Sequence, residues 1–230
     1  MSLQIRLRFT KALLRRAERL SFAFGFACMG LCAFMLARAW FFQAYQEWAF
    51  DQELRGEVVS ISEFLSQAAM LSGPDDTRFV ASLAAGGGLT QTIGFHSPED
   101  RGVVGRIEIP RVGLKAMILE GVSQRTLALA VGHIPGTALP GKKGNVGIAG
   151  HRDTFFRSLA GIHQNDTIVV TTRDGAYRYH VDSCAVVGPR DTRVLDASQR
   201  PSLTLVTCYP SRYLGPAPER FIVHAVREPL

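Results

Sequence analysis

The chain has 230 residues, 47% of them apolar and 20% charged. That excludes a disordered polymer and leaves room for one ordinary domain plus an attachment segment. Four cysteines are too few for a disulfide scaffold, and the net charge of +6 is unevenly spread.

Residues 1–19 carry six Arg/Lys against a single acid, Glu18. Leu20 to Phe42 follows, apolar except for Arg38. At about 1.5 Å per helical residue it spans the roughly 30 Å hydrocarbon core of a bilayer. Arg38 lies near the end of the stretch and can snorkel, and Trp40, Phe41, Phe42, Tyr45 and Trp48 form an aromatic belt there. A buried soluble helix and a cleaved signal peptide are the competing readings; the apolar length speaks against the first, the aromatic-rich end against the second. A basic flank stays in the cytoplasm, so residues 43–230 are expected outside it and the N-terminus inside. The seventeen basic residues of 101–230 then face wall polymer, lipid or substrate, and nucleic acid is not expected as a partner. Cys28 and Cys32 read as small packing residues of the membrane helix, with lipidation or a helix contact as alternatives.

Gln43 to Leu71 has helical periodicity, with Gly56 as a weak point. A stalk is the first reading, a membrane-surface helix the second. Ser72 to Gly102 reads as a linker, in which Asp75 and Asp76 can cap a short segment over Thr77–Ala85. From Val103 the texture is that of short strands, expected at Val104–Ile109, Leu114–Leu119, Asn145–His151, Thr167–Thr172, Ala176–Val187, Ser202–Cys208 and Arg220–Val226. Short helices are expected over Ser123–Val131, capped by Ser123, and over Phe155–Leu159. Seven or eight such strands suggest a closed barrel or a sandwich. The division expected is a basic tail (1–19), a membrane helix (20–42), a stalk and linker (43–102) and a β domain (103–230).

Alternation within the strands assigns faces. Leu203, Leu205 and Thr207 suit the core, as do Phe221, Val223 and Ala225, and Val146 and Ile148. Cys208, Arg220 and His151 each fall at a strand end on the opposite face. Spacing alone does not bring them together.

Three strings change that reading: VGHIPGTALPGKKGNVGIAGHRDTFFRSL (131–159), TLVTCYP (204–210) and GPAPERFIVHA (215–225). With GRIEIPRVGL (105–114) they resemble the sortases, and class D among them. The resemblance covers most of the C-terminal 125 or so residues. It implies a mainly β fold, an eight-stranded barrel with short helices, preceded by the membrane helix and the helical stalk. It implies cysteine transpeptidation, with His151, Cys208 and Arg220 as the catalytic residues. The cysteine attacks a backbone carbonyl of an LPxTG-like sorting signal, and a primary amine resolves the thioester. The implied partners are surface proteins bearing that signal, an amine acceptor such as a peptidoglycan cross-bridge, and membrane lipid.

The residue types suit the chemistry. An unperturbed thiol is only about 3% ionised at pH 7, so neighbouring cations help. An imidazole can protonate a leaving nitrogen and later deprotonate an amine. A guanidinium presents fixed donors to substrate backbone or oxyanion. Three further residues are candidates for substrate binding. His133 can face the groove or hold a turn. Asp153 can orient His151 or cap the following turn. Tyr209 can line the groove. The eleven-residue connection 209–219 either borders the groove or is simply a stiff loop. His163, His180 and His224 are expected to be structural or exposed, and Asn165 to tolerate a left-handed turn. Cys184, mid-strand among apolar residues, is expected to be a buried free thiol, with pairing to Cys208 as the alternative. No CxxC, HExxH or acidic loop occurs, so no metal site and no cofactor are expected. His and Cys stand 57 positions apart, unlike the adjacent pair of an L,D-transpeptidase. The non-enzyme alternative is an inactive, membrane-tethered peptide-binding barrel.

Overall fold

The computed structural model describes residues 2–57, 64, 102–211 and 215–229, with side chains from residue 18 onward. The expected linker, with its cap at Asp75 and Asp76 and the segment Thr77–Ala85, lies outside these residues, as does most of the stalk beyond residue 57.

One helix, α1 (Ser2–Leu54), runs through both the expected membrane segment and the start of the expected stalk. It divides between two compact units, Met1–Phe41 and Phe42–Leu230. In the first unit the apolar side chains, Phe22, Phe24, Leu31 and Leu36 among them, are exposed. By length and composition this stretch can cross a membrane. The helix stops because Gly56 takes a positive φ of 74°, and the amides of Arg55 and Glu57 turn back onto the carbonyl of Gln52. The weak point at Gly56 is thus a helix end, and the expected continuous helix to Leu71 is cut at Leu54.

The second unit is built on a closed barrel. Its strands are β1 (Val103–Ile109), β2 (Leu114–Glu120), β3 (Val131–His133), β4 (Asn145–Ala149), β5 (Thr167–Thr172), β6 (Gly175–Val187), β7 (Ser202–Tyr209) and β8 (Glu219–Arg227). They close in the order β1-β2-β3-β4-β7-β8-β6-β5. The β2–β3 and β4–β7 pairs are parallel and the rest antiparallel. Seven strands fall where alternation puts them. The eighth, β3, is three residues long, too short for a periodic signal. It occupies the end of the expected 123–131 helix, which shrinks to α2 (Gln124–Leu129). Ser123 does cap α2, its hydroxyl accepting from the Thr126 amide at 3.1 Å. The expected turn after His151 winds into a short 3-10 helix at Arg157–Gly161. Asn165 takes the left-handed conformation.

The core packs Ile107, Ile109, Ile118, Val146, Ile148, Ile168, Leu203, Leu205, Val223 and Ala225 from inward-facing strand positions. Each of the Ile, Val and Leu side chains contributes about 1.5–3 kcal/mol of burial. A second cluster lies outside the barrel wall. There Phe42 and Phe50 of α1 pack against Val103, Met117, Leu119 and Ala130. Gln43 fastens the same helix segment, donating from Nε2 to the Leu129 carbonyl at 2.6 Å and accepting at Oε1 from the Met117 amide at 2.9 Å. Asp51 pairs with Arg106, Glu47 with Lys115, and Glu53 with Arg173. Phe64 packs edge-on to Tyr45. Phe42, expected at the end of the membrane helix, and residues 43–54, expected as stalk, therefore cover the wall of the barrel.

Cys184 corrects the expectation of a buried thiol. A register shift between Val181 and Ser183 carries the end of β6 past β5, whose pairing stops at His180. Among the described residues, 182–186 have a strand partner on one side, β8, and Cys184 is exposed. Partial burial of its flank and the nearby Asp166 carboxylate push its thiol pKa up. All four cysteines are free, so Cys184 and Cys208 are not paired.

Candidate active site

Strand register assembles the three residues. Ala149 of β4 pairs with Val206 of β7, and the Gly150 amide extends that ladder to the Val206 carbonyl at 3.1 Å. His151, two residues past Ala149, thus stands level with Cys208, two past Val206. Cys208 in turn pairs directly with Arg220 of β8. Neighbouring strands lie about 4.8 Å apart. The backbone register therefore brings His151, Cys208 and Arg220 level with one another, just past the end of β4 and on β7 and β8. All three residues are half-buried, and the alternation that turns Ile148, Leu205 and Val223 inward turns this row outward.

Two features stiffen the row from below. The Thr207 hydroxyl, buried, donates to the Gly150 carbonyl at 2.8 Å and bolts the tip of β7 to the tip of β4. Gly150 itself lies so close to Phe156 that a Cβ there would sit 2.8 Å from the ring. The Phe156 amide donates to the His151 carbonyl at 3.0 Å, fixing the turn on which His151 rides. One pleat below the row, Ala149, Val206 and Ile222 make an apolar outward floor. It ends where the short turn at Arg193–Leu195 is fastened down: Thr204 donates to Asn145 at 2.8 Å, and Asn145 donates to the Val194 carbonyl at 3.1 Å.

On the other side of the β7 tip, Cys208, Thr207, Tyr209, Phe221, Phe156 and Arg152 line a cavity of about 330 Å³. Arg220 donates to the carbonyls of Glu219 and Ala217 at 2.8 and 3.2 Å, and among the described residues no carboxylate pairs with it.

The other candidates separate. Tyr209 lines the cavity beside Cys208 and packs against Phe221, ring centroids 6.2 Å apart. Asp153 is exposed in the turn after His151, with no side-chain partner among the described residues. His133 is corrected from the groove to the interior. It is 3% exposed, with Nδ1 2.8 Å from Glu120 and Nε2 3.0 Å from the Ala138 carbonyl. One ring nitrogen ties β3 to Glu120 at the end of β2 and the other to the 134–138 turn. His180 and His224 sit at the surface beside Glu228 and Asp182.

Sequence reasoning missed two contributors. Thr207 passed as a core residue, although a buried hydroxyl needs a partner. Arg152 stands inside the string that carries His151 and was left without a role.

Comparison with known proteins matches the barrel to one family. The family model described as "Sortase domain" matches residues 107–228. Sortase D of Bacillus subtilis is 31% identical over 131 residues, covering 56% of this chain and 66% of the relative. Sortase A of Bacillus anthracis is 28% identical over 116 residues, covering 49% and 55%. The chain thus spans less than two thirds of the length of these curated relatives. Among solved structures, a Clostridium perfringens Sortase D5 transpeptidase superposes with a TM-score of 0.51 at 32% identity, over 56% of this chain and 79% of that one. Sortase A from Corynebacterium diphtheriae gives 0.53 at 33%, over 56% and 62%.

Proposed function

Because the chain belongs to the sortase family, we propose that it is a cysteine transpeptidase, of class D type, that joins surface proteins to an amine acceptor. The alignment of His151, just past the end of β4, with Cys208 on β7 and Arg220 on β8 is the observation that carries this reading. The Cys208 thiolate attacks a backbone carbonyl in an LPxTG-like sorting signal. The negative charge that develops on the carbonyl oxygen is met by the Arg220 guanidinium, which among the described residues has no carboxylate partner. His151 gives a proton to the departing amide nitrogen, and a thioester remains on Cys208. A primary amine, such as that of a peptidoglycan cross-bridge, then attacks the thioester as His151 takes its proton, and the thiolate leaves. The floor of Ala149, Val206 and Ile222 suits the apolar side chains of an extended peptide lying toward the Arg193–Leu195 turn.

The apolar part of α1 serves as a single-pass membrane anchor, with the basic tail in the cytoplasm and the barrel outside. This orientation follows from charge and length, and it places the barrel where exported substrates and wall amines are found.

The test uses the full chain in detergent micelles with an LPxTG-type peptide library. Intact mass should reveal an acyl adduct on Cys208 that is absent from Cys208→Ala, and a supplied primary amine should discharge it. A folded protein with a free Cys208 thiol and no adduct from any peptide would refute transpeptidation.

A further inference from the structure

Arg152 follows His151 in the chain but grips a different part of the site. Its Nη1 donates to the Pro210 carbonyl at 3.0 Å, and its Nη2 to the Gly215 carbonyl at 3.0 Å. Pro210 lies two residues past Cys208, and Gly215 lies five before Arg220. One planar fork, rooted at the end of the strand that carries His151, thus holds the connection between nucleophile and guanidinium at two points.

That connection needs holding. Pairing of β7 with β8 stops at Tyr209 and Glu219, and a free loop of this length has many paths open to it. The Arg220 guanidinium takes its bearing from the same connection, since it donates to Ala217 and Glu219. The contacts form a chain: Arg152 to Pro210 and Gly215, the connection to Ala217, and Ala217 to Arg220. We propose that Arg152 is a positioning residue for acyl transfer, which holds Pro210 and Gly215 in place and, through the Gly215–Ala217 segment, sets the aim of Arg220 at Cys208. Lysine cannot replace it, because one ammonium does not reproduce a fork that reaches two carbonyls.

The inference rests on the transpeptidase reading for its kinetic test but not for its chemical one. Arg152→Gln and Arg152→Lys are compared with wild type and Arg220→Gln, each as the full chain in detergent micelles. The first readout is acylation of Cys208 by the LPxTG-type peptide mixture. The second is alkylation by iodoacetamide, resolved by peptide mapping, with exposed Cys184 as internal reference. Both Arg152 variants are expected to lose about tenfold or more in maximal acylation rate, since small misplacements of a reacting group carry costs of that order. The half-saturating peptide concentration should change by less than about threefold, because the lost contact acts on the reacting row and not on peptide binding. Alkylation of Cys208 should fall toward the Arg220→Gln level as the nearby cation is displaced. Cys184 should be unchanged and the melting temperature held within about 2 °C. Wild-type acylation and alkylation in both variants would overturn the proposal. So would losses at Cys208 matched by a parallel change at Cys184 and a lower melting temperature, which would mark a merely structural role. If wild type itself forms no acyl-enzyme, transpeptidation fails, and the alkylation rates alone decide: a selective fall at Cys208 upholds the clamp, and no change removes it.

Discussion

Two faces of the barrel, half-way round from each other, use the same residue types to opposite ends. Across β1 and β2, charges are consumed. Arg106 and Lys115 meet Asp51 and Glu47 of α1, Arg173 at the end of β5 meets Glu53, and Phe42 and Phe50 seal the wall between them. Along β7, β8 and the end of β4, register brings half-buried His151, Cys208 and Arg220 level, and among the described residues Arg220 bonds to carbonyls of its own connection. The covered face gives up its charges for docking. On the open face Arg220, cross-strand partner of Cys208, has no carboxylate partner among the described residues, an arrangement suited to meeting developing negative charge. One side of the barrel is thus given to docking α1, while the other holds the proposed reactive residues.

The comparison can be broken from either side. Cys208→Ala should lose all acyl transfer while melting close to wild type, measured by intact mass and calorimetry; a melting temperature that collapsed with activity would mean that the open face also carries the fold. Phe50→Ala empties a fully buried site on the covered face and should cost about 3–5 kcal/mol in denaturant unfolding. Any acyl transfer by the fraction that remains folded should proceed at the wild-type rate. Arg220→Lys keeps the charge and loses the planar fork, and about 10²–10³-fold in acylation rate should go with it at nearly unchanged stability.

Smaller effects sharpen the picture. Asp166 is buried under Arg111, and that hydrogen bond holds its pKa below the usual carboxylate range. A lowered folded-state pKa gives stability that is complete above the unfolded value of about 3.9 and lost as pH falls through and below it. Asp166→Asn should therefore melt below wild type at pH 7, with the gap closing as pH is lowered through about 4 toward 3. A gap independent of pH would assign the effect to packing instead. Lys115→Met breaks a half-exposed ion pair with Glu47 and should change stability by less than about 1 kcal/mol, with the difference shrinking at high salt.

The residues that differ between the two faces were not equally visible beforehand. His151, Cys208 and Arg220 stood out because each occupies a strand end out of step with the core alternation, inside strings specific to one family. Arg152 lay in the same string and carried no periodic or spacing signal, since its work is done on backbone carbonyls 58 and 63 positions away. His133 looked like a groove residue for the same reason that it is not one: a polar side chain in a Gly- and Pro-rich segment reads as surface until its partners Glu120 and Ala138 are seen to enclose it.

By itself, the sequence determined what depends on near neighbours. Alternation of period two set the seven longer strands and their inward faces, Ser123 set the start of α2, Gly56 marked where a helix could not continue, and an unbroken apolar run set a helix long enough to cross a bilayer. Only the tertiary structure decided what depends on register between distant segments. The bulge at Val181 and Ser183 exposes Cys184, the docking of α1 turns an expected stalk into part of the barrel's wall, and the Arg152 fork ties the tip of β4 to the connection between β7 and β8. The physical reason is that local patterns report the face a residue presents, whereas burial, pairing and aim are settled by which other face arrives to meet it.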